Sequence, residues 1–162
     1  MRPGQSCATR STVIAVDTNL LVYAHRAGSS SHGAVLRLLT DLANSGDRWA
    51  IPWPCVHEFC AVVTHPRIYS PPTPLRMAFD AIRAWGESPG CEFIGESEGY
   101  LDRLQEVAVR GKVEGGAIHD ARIAALCLHH GVRELWTVDR DFSRFPALAV
   151  RNPLVSPGTA GR

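Results

Sequence analysis

The chain has 162 residues, of which 45% are hydrophobic, and it carries a formal net charge of +1 at pH 7. A chain of this size forms one ordinary domain with a sizeable core, and its balanced charge excludes a chain-wide attraction to nucleic acid. No stretch approaches the roughly 18 consecutive apolar residues of a membrane span, so we expect no membrane contact.

The two ends of the chain and its cysteines set the expected boundaries and compartment. Residues 1–12 carry charge but no apolar signal-peptide core, and we predict a flexible lead-in there. Residues 155–162 are predicted to be a loose tail, which leaves one domain over residues 13–154. The five cysteines include no C-x-x-C pair, so we expect reduced thiols and a cytoplasmic protein.

Short apolar runs alternate with helical patterns along the predicted domain. The runs occupy residues 13–16, 48–51, 91–94, 134–138 and 147–150. Such alternation is typical of a parallel sheet covered by helices. The sequence therefore predicts an α/β fold whose central sheet is mostly parallel and has about five strands.

Three amphipathic helices are predicted between these strands. Their apolar faces are Val35, Leu38, Leu39 and Leu42; then Met77, Ala81, Ile82 and Trp85; then Leu101, Leu104, Val107 and Ala108. We interpret the second and third helices as a hairpin-like arm inserted into the domain.

The first conspicuous acid, Asp17, follows the run VIAV and precedes the helical pattern TNLLVYAH. Aspartate is a favoured N-cap, because its side chain accepts hydrogen bonds from the free N–H groups of a first helical turn. The end of a parallel strand is also where such sheets bind ligands. This position alone leaves both interpretations open.

Two further acids lie in predicted helices that are otherwise largely apolar. Glu58 is the only carboxylate of WPCVHEFCAVV, and Asp120 begins the helix of GGAIHDARIAALCLHHG, which is apolar almost all round and therefore predicted to be buried. Burying an ionised carboxylate costs several kcal/mol unless a cation or hydrogen bonds compensate. Taken alone, Glu58 is explained equally well as a functional acid or as a residue at the edge of the apolar face whose side chain bends out to water.

The last acids, Asp139 and Asp141, lie in LWTVDRDF after the fourth predicted strand. The carboxyl ends of parallel strands share one edge of the sheet, so we expect Asp17 and Asp139 there together. Turns often contain aspartate for backbone reasons, and Asp141 lies further into the turn, so we expect Asp139 to be the better ligand.

Together these acids predict a metal site. Neighbouring carboxylates repel one another, and a divalent cation relieves that repulsion. Oxygen ligands without a His or Cys pair suit Mg²⁺ or Mn²⁺, which can orient a phosphodiester and activate a water molecule for attack.

The segments VDTNLLVYAH, HEF, HDARIAA, WTVDRDFSRFP and VRNPL, in this order, resemble the PIN-domain ribonucleases. Within them they look like the VapC toxins of bacterial VapBC toxin–antitoxin systems, in particular the mycobacterial branch. The resemblance extends from Val13 to Leu154 and implies a three-layer α/β/α PIN domain that cleaves RNA with Mg²⁺ or Mn²⁺. It also implies a homodimer and a cognate VapB-type antitoxin that obstructs the acidic pocket. Family members cut tRNA or rRNA, and nothing in these motifs selects between them.

The resemblance assigns roles to individual positions. The implied catalytic and metal-binding residues are Asp17, Glu58, Asp120 and Asp139, with Asp141 as an auxiliary metal ligand. The implied hydrogen-bonding residues around them are Thr18, Asn19 and Thr137. From their places near the acidic edge, the candidate RNA-binding residues are Arg26, Arg122, Arg140 and Arg144, each of which could instead pair with a nearby acid.

Other functions fit the sequence less well. A phosphatase of the haloacid dehalogenase type needs D-x-D where this chain reads DTN, and a receiver domain needs a lysine after a late strand, whereas Lys112 is the only lysine. Two alternatives remain within the PIN family. One is an RNA-processing nuclease without an antitoxin, and the other is a non-catalytic scaffold, which would have no reason to retain every costly acid.

Overall fold

The computed structural model describes residues 13–156. The predicted lead-in and residues 157–162 of the predicted tail lie outside the described residues. The described chain forms five strands: β1 (Ile14–Val16), β2 (Trp49–Pro52), β3 (Cys91–Ile94), β4 (Glu134–Trp136) and β5 (Ala149–Arg151). It also forms six α-helices: α1 (Thr18–His25), α2 (His32–Asn44), α3 (Trp53–Val63), α4 (Leu75–Gly86), α5 (Tyr100–Arg110) and α6 (Ile118–His129). Two short 3₁₀ helices, Gly115–Ala117 and Arg140–Arg144, complete it.

The strands form one sheet in the order β3-β2-β1-β4-β5, and every pair of neighbours is parallel. The chain moves outward from β1 to β3 and then returns to β4 and β5. Right-handed crossovers therefore place α1 to α4 on one face of the sheet and α5 and α6 on the other. This arrangement confirms the predicted α/β/α fold, and the reversal between β1 and β4 leaves a crevice at their carboxyl ends.

The core surrounds β1, β2 and α6. Every residue of β2 is buried, and α6 buries Ala121 together with the run Ile123–Cys127. Burying a large aliphatic side chain stabilises the fold by about 1.5–3 kcal/mol. The prediction that the helix carrying Asp120 is internal is thus confirmed. None of the described helices is long and apolar enough to cross a membrane.

Several predicted details are wrong. Strand β4 ends at Trp136, so Asp139 does not follow it directly. In α4 the buried residues are Ala78 and Ile82, whereas Met77 is 55% exposed. Leu101 of α5 is likewise 74% exposed. The other residues of the two predicted faces are buried or packed against the core: Ala81, Ile82 and Trp85 in α4, and Leu104, Val107 and Ala108 in α5. The periodicity therefore located both faces and was wrong only about the first residue of each.

The predicted hairpin-like arm is also wrong. Helix α4 packs on α3 and β3, whereas α5 packs on α6. The strand between them, β3, reverses the direction of the crossovers, and this places the two helices on opposite faces of the sheet. The described cysteines are free thiols, as expected: Cys55, Cys60, Cys91 and Cys127.

Candidate active site

Asp17 lies at the end of β1, where it is the N-cap of α1, and only 4% of it is exposed. Its Oδ1 accepts a hydrogen bond from the backbone N–H of Thr18 at 2.8 Å. Its Oδ2 accepts from the Thr137 hydroxyl at 2.7 Å and from the Asn19 amide at 3.2 Å. The aspartate therefore caps the helix and is also the centre of a polar network.

Thr137 connects this network to the chain that follows β4. Its hydroxyl accepts hydrogen bonds from the Asn19 amide and from the backbone N–H of Asp139, each at 3.0 Å. A hydroxyl has a single proton to donate, and here that proton goes to Asp17. The Asn19 carbonyl oxygen accepts from the Val138 N–H at 3.4 Å. Thr137 and Asn19 thus join the two strand ends on either side of the crevice.

Glu58 lies on α3 and is exposed, but it does not simply bend away from the other acids. Its Oε2 accepts a hydrogen bond from the Thr18 hydroxyl at 2.9 Å. Thr18 therefore connects Glu58 to Asp17, since its backbone N–H binds one carboxylate and its side chain the other. Cys55, one turn earlier on α3, is fully buried and donates its S–H to Asp17 Oδ1 at 3.5 Å.

Three carboxylates form a separate group at the crevice. Oxygen atoms of Asp120, Asp139 and Asp141 all lie within 4.8 Å of one another. Asp120 is in the first turn of α6, and Asp139 caps the 3₁₀ helix by accepting from the Asp141 N–H at 2.8 Å. No lysine or arginine of residues 13–156 forms a salt bridge with any of the three.

The acids influence one another electrostatically. Burial raises the pKa of Asp17, three hydrogen bonds partly oppose this, and the charge of Glu58 raises it further. Burial also raises the pKa of Asp120, and the charges of Asp139, Asp17, Asp141 and Glu58 add to the effect in that order. These carboxylates repel one another, and the described protein places no cation among them. A group of oxygen ligands of this kind has the chemistry of a site for Mg²⁺ or Mn²⁺.

The acids border a cleft of about 360 Å³, whose acidic end is lined by Asp17, Glu58, Asp120 and Asp139. Asp139 also borders a second groove of about 780 Å³, which contains two arginines, Arg140 and Arg151. The sequence pattern does not predict Arg151 at this groove, because the predicted last strand ends at residue 150, whereas β5 continues to Arg151. Its register opposite Trp136 places it beside the carboxyl end of β4. The contact of Cys55 with Asp17 was not predicted either, because it joins α3 to the end of β1 across 38 positions of the sequence.

The four candidate arginines have different surroundings. Arg26 donates to the carbonyl of Pro71 and the hydroxyl of Thr73, and Arg122 forms a salt bridge of 2.8 Å with Glu96. Arg140 is exposed and borders the second groove, while Arg144 is exposed at the end of the 3₁₀ helix. Two of the four therefore already have protein partners.

Known proteins resemble this chain over most of its length. The family model described as PIN domain matches residues 14–148. Ribonuclease VapC43 of Mycobacterium tuberculosis (strain ATCC 25618 / H37Rv) is 33% identical over 142 residues, which cover 88% of this chain and 96% of that protein. Ribonuclease VapC48 of the same strain is 29% identical over 137 residues, covering 85% of this chain and 94% of that protein.

Solved structures share the fold. VapBC2 from Rickettsia felis, bound to a DNA fragment from its promoter, aligns with a TM-score of 0.62 and 20% identity, covering 86% of this chain and 98% of that one. Mycobacterium tuberculosis VapC20, described as a Sarcin-Ricin loop cleaving toxin, aligns with a TM-score of 0.57 and 21% identity, covering 80% of this chain and 92% of that one.

Proposed function

The chain belongs to the PIN-domain family and to its VapC branch, and we propose that it is the toxin of a VapBC-type system, an endoribonuclease that depends on Mg²⁺ or Mn²⁺. The observation that carries this proposal is the group formed by Asp120, Asp139 and Asp141, whose oxygens lie within 4.8 Å of one another. Three carboxylates this close repel one another, a divalent cation would relieve that repulsion, and the nuclease function of the family gives such a cation a role.

We assign the cation to the three aspartates, with Asp17 and Glu58 at the edge of its surroundings. A bound Mg²⁺ or Mn²⁺ would orient the phosphodiester and lower the pKa of the attacking water. Thr18 holds one oxygen of Glu58, which leaves Oε1 able to accept the proton of that water. Thr137 and Asn19 orient Asp17, because both donate to its Oδ2, and the Thr137 hydrogen bond partly opposes the rise in the pKa of Asp17 that burial causes.

The central test is cleavage of RNA by purified protein free of antitoxin. With Mg²⁺ or Mn²⁺ we expect cuts that leave a 5′-phosphate and a 3′-hydroxyl, which end-labelling of the products detects. Excess EDTA should abolish cleavage. Cleavage that persists in EDTA contradicts the metal-dependent proposal, and no cleavage of tRNA or rRNA with either metal favours the non-catalytic PIN scaffold.

For the RNA backbone, we propose Arg140 and Arg144 as phosphate contacts. Both are exposed near Asp139, whereas Arg26 and Arg122 would first have to leave the partners described above. Each lost contact should lower the slope of log affinity against log salt by about one. The control is Arg37→Ala, since Arg37 is an exposed arginine of α2.

The partners are proposed on the same family relationship. We expect a VapB-type antitoxin to bind beside the cleft and inhibit cleavage, and we expect the chain to form a homodimer. Helix α4 offers an apolar surface for one of these contacts, because Leu75 and Phe79, one turn apart, are 56% and 45% exposed.

The gene immediately upstream and its product test the antitoxin. A short reading frame whose product binds DNA, copurifies with this chain and stops its cleavage of RNA would support the toxin. If no such gene exists and the nuclease is active in its host without an inhibitor, the RNA-processing nuclease is the better interpretation. Light scattering measures the oligomeric state, and a monomer at micromolar concentration would contradict the homodimer.

A further inference from the structure

The cleft that holds the acids has a second end of different chemistry. Its lining also includes aliphatic and aromatic residues, among them Tyr23 of α1 and Tyr69 of the loop after α3. We call these two tyrosines the aromatic wall. One cleft thus combines a strongly anionic end, suited to a cation, with a flat apolar end.

The aromatic wall lies close to the acids along α1. Tyr23 comes six residues after Asp17, which corresponds to a rise of about 9 Å along the helix axis. Val22 and Val62 line the cleft next to the tyrosines. An occupant that reaches both ends must therefore carry an anionic group next to a flat, apolar group.

Tyr69 is held in place although it belongs to a loop. The guanidinium of Arg26 lies over its ring, 4.1 Å from the centroid. The same guanidinium is fixed by the Thr73 hydroxyl at 3.1 Å and by the Pro71 carbonyl at 3.3 Å. A ring held in this way loses little conformational freedom when a ligand stacks against it.

The two tyrosines differ from the tyrosine that packs in the core. Tyr100 is 8% exposed, and its hydroxyl donates to the carbonyl of Arg122 at 3.5 Å. Tyr23 and Tyr69 are only half-buried, and within residues 13–156 neither hydroxyl forms a hydrogen bond. Both therefore keep a hydroxyl that can bond a ligand, and Tyr69 offers a ligand the ring face that Arg26 does not cover.

We propose that the aromatic wall is a nucleobase subsite, where the base of a nucleotide flanking the cleaved phosphate stacks on Tyr23 or Tyr69. The proposal rests on the proposed function, because it takes the phosphate to lie at the carboxylates. A nucleotide has the required composition, with an anionic phosphate joined through a sugar to a flat base. Stacking on an aromatic side chain strengthens binding by about 5- to 150-fold per base.

The experiment compares RNA with and without individual bases. An RNA that the wild-type protein cleaves with Mn²⁺ is resynthesised with an abasic ribose at each position flanking the cut, which keeps the backbone charge unchanged. We expect one position at which the abasic substitution lowers kcat/KM by about 5- to 150-fold. That loss should largely disappear in Tyr69→Leu or Tyr23→Leu, since no ring remains for the base, and persist in Tyr69→Phe.

Trp53→Leu is the matched control. Trp53 is a 41% exposed aromatic residue of α3 that stacks on Phe93, with ring centroids 4.9 Å apart, and it does not line the cleft. This variant should keep the full dependence on the base. Melting curves show whether each leucine variant is folded, and the two tyrosines provide independent tests because they lie on different elements.

The possible outcomes separate this proposal from the proposed function. If RNA is cleaved but no flanking base matters, the subsite is wrong and the nuclease stands. If no RNA is cleaved, binding of oligouridylate and of an abasic oligomer of equal length is compared by fluorescence anisotropy with Ca²⁺. If the protein prefers oligouridylate and Tyr69→Leu removes that preference, the base subsite is supported even though the nuclease proposal has failed. If the leucine variants still depend on the base but are no longer inhibited by an antitoxin, the aromatic wall binds the antitoxin and the proposal is overturned.

Discussion

One buried carboxylate and a group of three more accessible carboxylates lie at the same crevice, and the fold surrounds them differently. The first is the buried node, formed by Asp17 with Thr18, Asn19 and Thr137. There the protein supplies donors to both oxygens of the aspartate: a backbone N–H, an amide, a hydroxyl and, at 3.5 Å, the thiol of Cys55. A carboxylate accepts about four hydrogen bonds, so the protein supplies this aspartate with nearly all the donors it can take, which offsets part of the cost of burying it.

The second group is the open triad, formed by Asp120, Asp139 and Asp141. The described chain supplies it with one clear donor, the Asp141 N–H that binds Asp139. The triad is also more accessible, since Asp120 and Asp139 are half-buried and Asp141 is exposed. We infer from this comparison that the node fixes the geometry of the crevice and that the triad is the part of it suited to a cation. Removing an acid should therefore cost stability at the node and activity at the triad.

The largest effect is expected for Asp120→Asn. We predict that cleavage falls by at least about 1,000-fold, or about 4 kcal/mol of transition-state stabilisation, because this carboxylate lines the cleft and lies within 4.8 Å of both other aspartates of the triad. The protein without metal should be at least as stable as the wild type, since the substitution removes a repelling charge. Single-turnover cleavage and urea unfolding in EDTA measure the two quantities. A variant that is inactive because it is unfolded would contradict the distinction between the groups.

The node should respond in the opposite way. We predict that Asp17→Ala lowers the free energy of unfolding by about 2–4 kcal/mol, because the Thr137 hydroxyl and the Asn19 amide then lose a buried acceptor. Urea unfolding in EDTA measures this loss. Asp41→Ala, at an exposed acid of α2, is the control and should change stability by less than about 0.5 kcal/mol. An Asp17→Ala protein as stable as the control would show that the node does not hold the fold.

Within the triad, Asp139 and Asp141 should differ by a smaller factor. Asp139 is half-buried, borders both the cleft and the second groove, and is held by its capping bond, whereas Asp141 is exposed. We predict that Asp139→Asn lowers the cleavage rate at least about tenfold and raises the Mn²⁺ concentration for half-maximal activity. Asp141→Asn should do less in both measurements. The reverse ranking would show that the exposed aspartate is the stronger ligand.

The sequence predicted the place of Asp17 better than the detailed arrangement of the triad. The alternation of strands and helices correctly indicated that Asp17 ends a parallel strand, since the crevice follows from strand order alone. It did not reveal that β4 ends at Trp136, so Thr137 contacts Asp17 and Asp139 turns toward Asp120. Side-chain periodicity cannot locate the last hydrogen bond of a strand, which depends on the neighbouring strands.

Residues on loops were harder still to predict. Tyr69 reaches the cleft because Arg26, Pro71 and Thr73 fix the segment after α3. Those contacts join residues more than forty positions apart, and no local pattern encodes them. The same holds for α4, where adjacent Met77 and Ala78 are both acceptable to a helical period but only Ala78 meets the core.

The smallest effect concerns how stability depends on pH. In the protein without metal, burial raises the pKa of Asp120, and the charge of Asp139 raises it further, above its ordinary value of 3.8. The folded state therefore binds this proton more tightly than the unfolded state, so its contribution to stability is present below pH 3.8 and is lost as pH rises through the folded pKa. We therefore compare the free energies of unfolding of the wild type and Asp120→Asn, measured with urea in EDTA. We predict that the difference, wild type minus variant, falls steadily as pH rises over that window. With saturating Mn²⁺ this difference should instead rise with pH, because a bound cation favours the ionised carboxylate. A difference independent of pH in both conditions would show that the triad is already satisfied by the protein.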